Sequence, residues 1–269
     1  MNTKITQNPT NKSRVFFRPK TFMLLAFVAL SLVVASCKKQ QPEPQNNIEK
    51  SFIIDRSLST SSNLTSLDSI DRIIHTVISS LHLDASGNTS FGCKVRITSI
   101  GTSIRPEVYT IVLPPGDSWL GTNGEKRKQV VQRFRKQLLA ALQLIYKQPA
   151  DQSHSQVYLT MCQELNALSS SQFGTSKTLY LITDGIQSDG SIEFIKYLED
   201  LKKFKATFPQ FKSQMIQQCP LPDLSNIQIM MANRPNHSSG EFILTCDQFW
   251  KELIQEHKGN LIIKGSINY

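Results

Sequence analysis

No two cysteines in this chain form a Cys-x-x-Cys pair, and no histidine stands at zinc-ligand spacing from any of the five cysteines. A structural zinc site therefore lacks its usual ligands. There is no Gly-x-x-x-x-Gly-Lys run to cradle a nucleotide's phosphates and no Gly-x-Ser-x-Gly turn to present a serine nucleophile. No segment repeats another. Acids are also in short supply, at 21 against 30 Lys and Arg, which gives a formal charge of +9. That excess does not by itself point to nucleic acid. Lys4, Lys12, Arg14, Arg18 and Lys20 precede the first long apolar run with no acid among them, so they account for five of the nine charges and leave +4 for the rest. A +4 balance is ordinary for a domain of this size.

Those basic residues open a leader. A continuous apolar stretch spans 22–34 and ends in Ala35, Ser36 and Cys37. Val34-Ala35-Ser36-Cys37 resembles the lipobox of bacterial lipoproteins, in which small residues admit the signal peptidase and the cysteine thiol accepts a diacylglycerol. The resemblance implies a signal peptide over 1–36, acylation (palmitate included) of Cys37, and a chain held to the membrane in the cell envelope. An uncleaved transmembrane anchor is the alternative, and it places the bulk of the chain on the same side. Residues 37–47, with Gln40, Gln41, Pro42, Pro44 and Gln45, read as a polar, flexible tether. The membrane leaflet is not legible. Cys93, Cys162, Cys219 and Cys246 remain beyond it; an oxidising envelope permits one or two disulfides, the pairing is open, and buried free thiols are the alternative.

From 48 to 269 the chain alternates strand-like and helix-like runs. Strands are expected at 51–55, 93–100, 107–113, 178–183, 227–232 and 261–263, the second and third as an edge hairpin. Helices are expected at 67–81, 125–147, 156–168, 192–204 and 242–257, with Thr65 and Asp68 capping the first and Pro209 breaking or restarting the fourth region. The helix over 125–147 carries Lys126, Arg127, Lys128, Arg133, Arg135 and Lys136 on what reads as a solvated face; without interleaved aromatics or a binding motif, no nucleic-acid partner is expected. Strands alternating with helices predict one α/β domain, a doubly wound, mostly parallel six-stranded sheet with helices on both faces.

Two of the apolar strands end in aspartate: Ile53-Ile54-Asp55 and Leu181-Ile182-Thr183-Asp184. Ligands of such sheets bind beyond the carboxyl ends of the strands, where the strand order reverses. Two carboxylates held at that edge call for a cation between them. Asp55-Arg56-Ser57-Leu58-Ser59 adds hydroxyls at alternate positions that can converge with Asp55. Hard oxygen donors suit Mg2+ or Mn2+ rather than zinc.

Asp55-x-Ser57-x-Ser59 after a first apolar strand, with Thr183-Asp184-Gly185 after a later one, resembles the von Willebrand factor A (VWA) family over about 48–269. That likeness implies a VWA or Rossmann-like sheet and a metal-ion-dependent adhesion site (MIDAS). In it Ser57 and Ser59 would bind the metal directly, and Asp55 and Asp184 directly or through water. A threonine from a middle loop completes the family's site; here Ser155 takes its place, with Ser153 and Thr122 as other candidates. Many members carry glycine where Leu58 stands. The likeness implies an open metal position that accepts an acidic group of a partner protein, in adhesion or assembly, with Arg56, Leu58, Gln187 and Ser188 setting the choice of partner.

The expected function is thus binding, not catalysis. A metal-free VWA-like scaffold in an envelope complex is one alternative. The other is a serine hydrolase built on Ser155, His154 and Asp184, disfavoured because the nucleophile turn is missing and His75 and His82 fall on a helix.

Overall fold

Six strands make one sheet in the order β3-β2-β1-β4-β5-β6. They are β1 (Ile48–Asp55), β2 (Cys93–Ile100), β3 (Val108–Leu113), β4 (Ser176–Thr183), β5 (Ile227–Asn233) and β6 (Asn260–Lys264). The helices are α1 (Gly124–Lys147), α2 (Val157–Ser170), α3 (Leu201–Gln218) and α4 (Gly240–Glu256), with a 3-10 turn at Phe194–Tyr197. This computed structural model describes residues 47–56, 75, 77–81, 91–100, 107–116, 124–147, 155–233 and 240–264. The leader with Cys37, the Thr65/Asp68 cap, most of the helix expected over 67–81, and Ser57, Ser59, Thr122, Ser153 and His154 lie outside the described residues.

The doubly wound, mostly parallel sheet expected from the sequence is the one observed. β1 sits at its centre between β2 and β4, parallel to both, and every residue of it after Ile48 is buried. Only β3 runs antiparallel, pairing Cys93 with Leu113 and Thr98 with Val108 at the sheet's edge, so the hairpin expectation also holds. Side chains alternate across a strand, and here that separates two cores. Phe52, Ile54, Tyr180 and Ile182 face α1 and its Val131, Phe134, Leu138, Leu142 and Ile145. Ile53, Leu179, Leu181, Ile229 and Met231 face α2, α3 and α4, with Phe194, Phe204, Phe208, Phe249 and Trp250 packed ring against ring between them.

Three readings of the sequence change. No α-helix forms over 192–200, only the 3-10 turn at Phe194–Tyr197: Asp189 Oδ1 accepts the main-chain N–H groups of Ser191 and Ile192, and Glu193 accepts the Gly190 N–H and the Ser188 hydroxyl, which fixes a turn ahead of it. The helix starts at Leu201, where Asp200 accepts the N–H of Lys203 at 2.9 Å as an N-cap. It then runs through Pro209, which faces solvent while Phe204, Phe208, Phe211 and Met215 bury the opposite side. Packing of that stripe outweighs the hydrogen bond the proline forfeits, about 3 kcal/mol or more. Lastly, Arg127 belongs to no solvated face. It is 7% exposed and donates to the carbonyls of Pro114 and Phe91, at 2.6 and 3.0 Å.

The open question of cysteine pairing closes with Cys162 bonded to Cys219, which ties α2 to the end of α3. Tyr158 donates its hydroxyl to Cys219 O, and Asn166 Nδ2 donates to Pro220 O, so the same junction is held at three points. Cys93 and Cys246 are buried free thiols, and burial pushes that of Cys93 up to about 12.

Candidate metal centre

The inward row of β1 runs Ser51, Ile53, Asp55, and that of β4 runs Leu179, Leu181, Thr183. Ile54 pairs with Ile182, so the next residues, Asp55 and Thr183, stand side by side at the carboxyl end of the sheet, on the face covered by α2. The strand order reverses here, since the chain runs outward from β1 to β2 and β3 on one side and from β4 to β5 and β6 on the other, all of these but β3 parallel.

Both side chains are fully buried. Thr183 Oγ1 donates to Asp55 Oδ2 at 2.6 Å, and Ser155 Oγ donates to the same oxygen at 3.3 Å. Ser155 comes from the turn just before α2. An antiparallel bridge holds it there, Ser155 N to Ser188 O at 2.6 Å and Ser188 N to Ser155 O at 3.0 Å. Three chain segments thus deliver one carboxylate and two hydroxyls to one point.

Asp184 comes directly after Thr183. Its Oδ1 accepts the Ile186 N–H at 3.0 Å, and it too is fully buried. The turn that carries it needs Gly185, whose φ of +75° lies in the left-handed region. The Gly185 N–H donates to Thr183 Oγ1 at 3.0 Å, and its carbonyl accepts from Trp250 Nε1 at 2.8 Å. The Cys246 thiol is pushed up by burial first, then by the negative charges of Asp247 and Asp184.

The structure therefore brings together Asp55 and Ser155 by direct contact, with Asp184 in the adjoining turn. Ser57 and Ser59 lie outside the described residues. Thr183 is the member to which the sequence motif gives no role, although it ends the inward row of β4 just as Asp55 ends that of β1. Three residues expected to face a partner are occupied otherwise. Arg56 donates to Tyr146 O at 3.1 Å and lies over the Tyr146 ring. Gln187, 1% exposed, accepts the Tyr158 N–H at the start of α2 and donates to Asp189. Ser188 Oγ donates to Glu193. These side chains hold the loops in place.

Among the described residues no three His, Cys, Asp or Glu side chains cluster closely enough to hold an ion. A cation at this edge would use hydroxyl oxygens beside the carboxylates. That all-oxygen set fits a small hard cation and no soft one.

No family model matches the chain, and no curated protein matches it. Solved structures do. A von Willebrand factor type A protein from Catenulispora acidiphila aligns at 12% identity and a TM-score of 0.43, over 83% of this chain and 39% of its own. An aerotolerance-related membrane protein from Bacteroides fragilis aligns at 12% identity and 0.36, over 82% of this chain and 93% of its own. A manganese-loaded TRAP protein from Plasmodium vivax aligns at 14% and 0.30, over 78% and 63%. The weight rests on the sheet itself: its order, the antiparallel edge strand and the helices on both faces. The fold is doubly wound and Rossmann-like.

Proposed function

We propose that this chain is a lipid-anchored bacterial envelope protein whose VWA-like domain binds a divalent cation, Mg2+ or Mn2+, and through it an acidic group of a partner protein. The residues that would hold the cation are Asp55, Ser57, Ser59, Ser155 and Asp184. When bound, the cation supplies an open coordination position for a carboxylate. The observation that carries the reading is the meeting of the Ser155 and Thr183 hydroxyls on the buried carboxylate of Asp55 at the sheet's switch point. Thr183 orients Asp55, and the Ser155–Ser188 bridge sets the depth of the Ser155 hydroxyl.

Two further observations support the envelope setting. A disulfide between Cys162 and Cys219 belongs to an oxidising compartment. The tether joins at Asn47, and the eight residues of β1 separate it from Asp55, about 26 Å at the rise of a strand. The candidate site thus stands at the opposite end of β1 from Asn47.

A metal-free scaffold is the second reading, and one feature favours it: the two hydroxyls already satisfy Asp55 Oδ2. The hydrolase alternative gains nothing, because Ser155 is 4% exposed with its hydroxyl turned onto Asp55.

Thermal unfolding separates the first two. Mg2+ or Mn2+ at about 100 times the dissociation constant stabilises the folded state by roughly 2.7 kcal/mol, a rise of about 5–10 °C in the midpoint for a domain of this size. Asp184→Asn is expected to show no such rise. A midpoint that ignores both cations at millimolar levels supports the scaffold.

A further inference from the structure

The 24 residues of α1 include seven Lys or Arg and one acid, Glu125. Arg127 is buried against Pro114 and Phe91, Lys128 reaches Glu125 at 4.0 Å, and Arg135 is half-buried. Lys126, Arg133, Lys136 and Lys147 are exposed, and among the described residues none of the four is ion-paired. Their spacing of 7, 3 and 11 places them on one stripe of the helix, opposite the buried Val131, Phe134, Leu138 and Leu142. Ala140 and Leu144 fall on the same stripe, and Leu144 is 50% exposed. The helices that cover the sheet's other face carry both signs: Lys202, Lys203, Lys205 and Lys212 on α3, and Glu241, Asp247, Glu252 and Glu256 with Lys251 on α4.

The stripe begins where the tether ends. Asn47 Oδ1 accepts the Gly92 N–H at 2.7 Å, and the neighbouring Phe91 carbonyl accepts from Arg127 in the first turn of α1. At the other end, the Tyr146 carbonyl in the last turn accepts from Arg56, one residue beyond β1. The helix therefore runs from the tether edge to the site edge, about 36 Å at its usual rise. The tether from Cys37 to Asn47 reaches at most about 35 Å, so the basic stripe cannot stray far from an anchored bilayer.

We infer that the outer face of α1 docks on the anionic lipid surface to which the chain is tethered, with Lys126, Arg133, Lys136 and Lys147 at the headgroups and Leu144 against the interface. This rests on the membrane anchoring proposed above. A basic stripe with an apolar member is the pattern that lies flat on anionic bilayers, each cation contributing roughly fivefold to binding near the surface. Anchored at one end and docked along its length, the domain lies on its side. Its carboxyl edge, with Asp55 and Asp184, then opens along the membrane plane, towards partners held in the same membrane.

The full chain, isolated from bacterial membranes and reconstituted in vesicles, tests this. One set of vesicles is phosphatidylcholine alone, the other contains phosphatidylglycerol, and lysine acetylation is read residue by residue. In the anionic vesicles Lys126, Lys136 and Lys147 are expected to react at least about threefold more slowly, with protection lost in high salt. Lys202 and Lys251, exposed on α3 and α4, keep one rate in both. Arg133→Glu with Lys147→Glu, both at exposed positions, returns Lys126 and Lys136 to the neutral-vesicle rate. Equal rates in the two vesicles, or equal protection of Lys202 and Lys251, overturn the docking while leaving the anchor intact. A chain that does not float with the vesicles overturns the anchor and the docking together.

Discussion

Reduction of the Cys162–Cys219 disulfide is expected to lower the midpoint of thermal unfolding by about 10 °C without changing the fold. The bond joins residues 57 apart, and closing a loop of that length restricts the unfolded chain by about 4 kcal/mol. For a domain of this size each kcal/mol shifts the midpoint by about 2–4 °C. Native geometry has little to lose on reduction, because Tyr158 and Asn166 still hold the Cys219–Pro220 junction against α2. The Cys162→Ala, Cys219→Ala double variant should match the reduced protein. Cys93 and Cys246, both buried, should resist alkylation in the native protein and react once it unfolds. A midpoint that moves by less than about 2 °C contradicts the loop argument.

Thr183→Val is expected to cost about 3 kcal/mol even with no cation present. Valine keeps the shape of threonine and removes only the hydroxyl. That hydroxyl donates to the buried Asp55 carboxylate at 2.6 Å and accepts the Gly185 N–H at 3.0 Å. A hydrogen bond to a charged group is worth about 1.5–3 kcal/mol, and an orphaned buried donor adds a cost of about 1–3 kcal/mol. The variant should also weaken cation binding, because Asp55 loses the neighbour that orients it. Urea unfolding checks the stability change, and a loss under about 1 kcal/mol would mean that Thr183 does not hold Asp55 in place.

Much of this arrangement was legible in the residues. The unbroken apolar runs of β1 and β4 announced buried parallel strands, and their terminal aspartates marked the edge where a ligand would sit. The alternation in Cys93–Ile100 and Val108–Leu113 announced the edge hairpin. What was not legible depends on side chains that capture main-chain groups. Asp189 and Glu193 fold 188–193 into a turn, so the helix that periodicity reads from Ile192 begins only at Leu201. Gln187 and Arg56 look like free polar loop residues in the sequence, yet one holds the start of α2 and the other the end of α1. Pro209 stays inside α3 because four buried side chains outweigh one missing hydrogen bond, a balance that exists only after packing. Cysteine pairing has the same character: Cys162 and Cys219 meet only once α2 and α3 are side by side. Thr183 was within reach, since an inward row that ends in a hydroxyl beside another that ends in a carboxylate is a pattern of the sequence itself.

The central claim is that Asp55 and Asp184 hold a divalent cation at the carboxyl edge of the sheet. Calorimetric titration of Mg2+ and Mn2+ into the folded chain, beside Asp55→Ala and Asp184→Ala variants that keep the wild-type circular dichroism, tests it most directly. Saturable binding at one site, lost in both variants, is the predicted result. A folded wild-type chain that takes up neither cation at millimolar levels would contradict it.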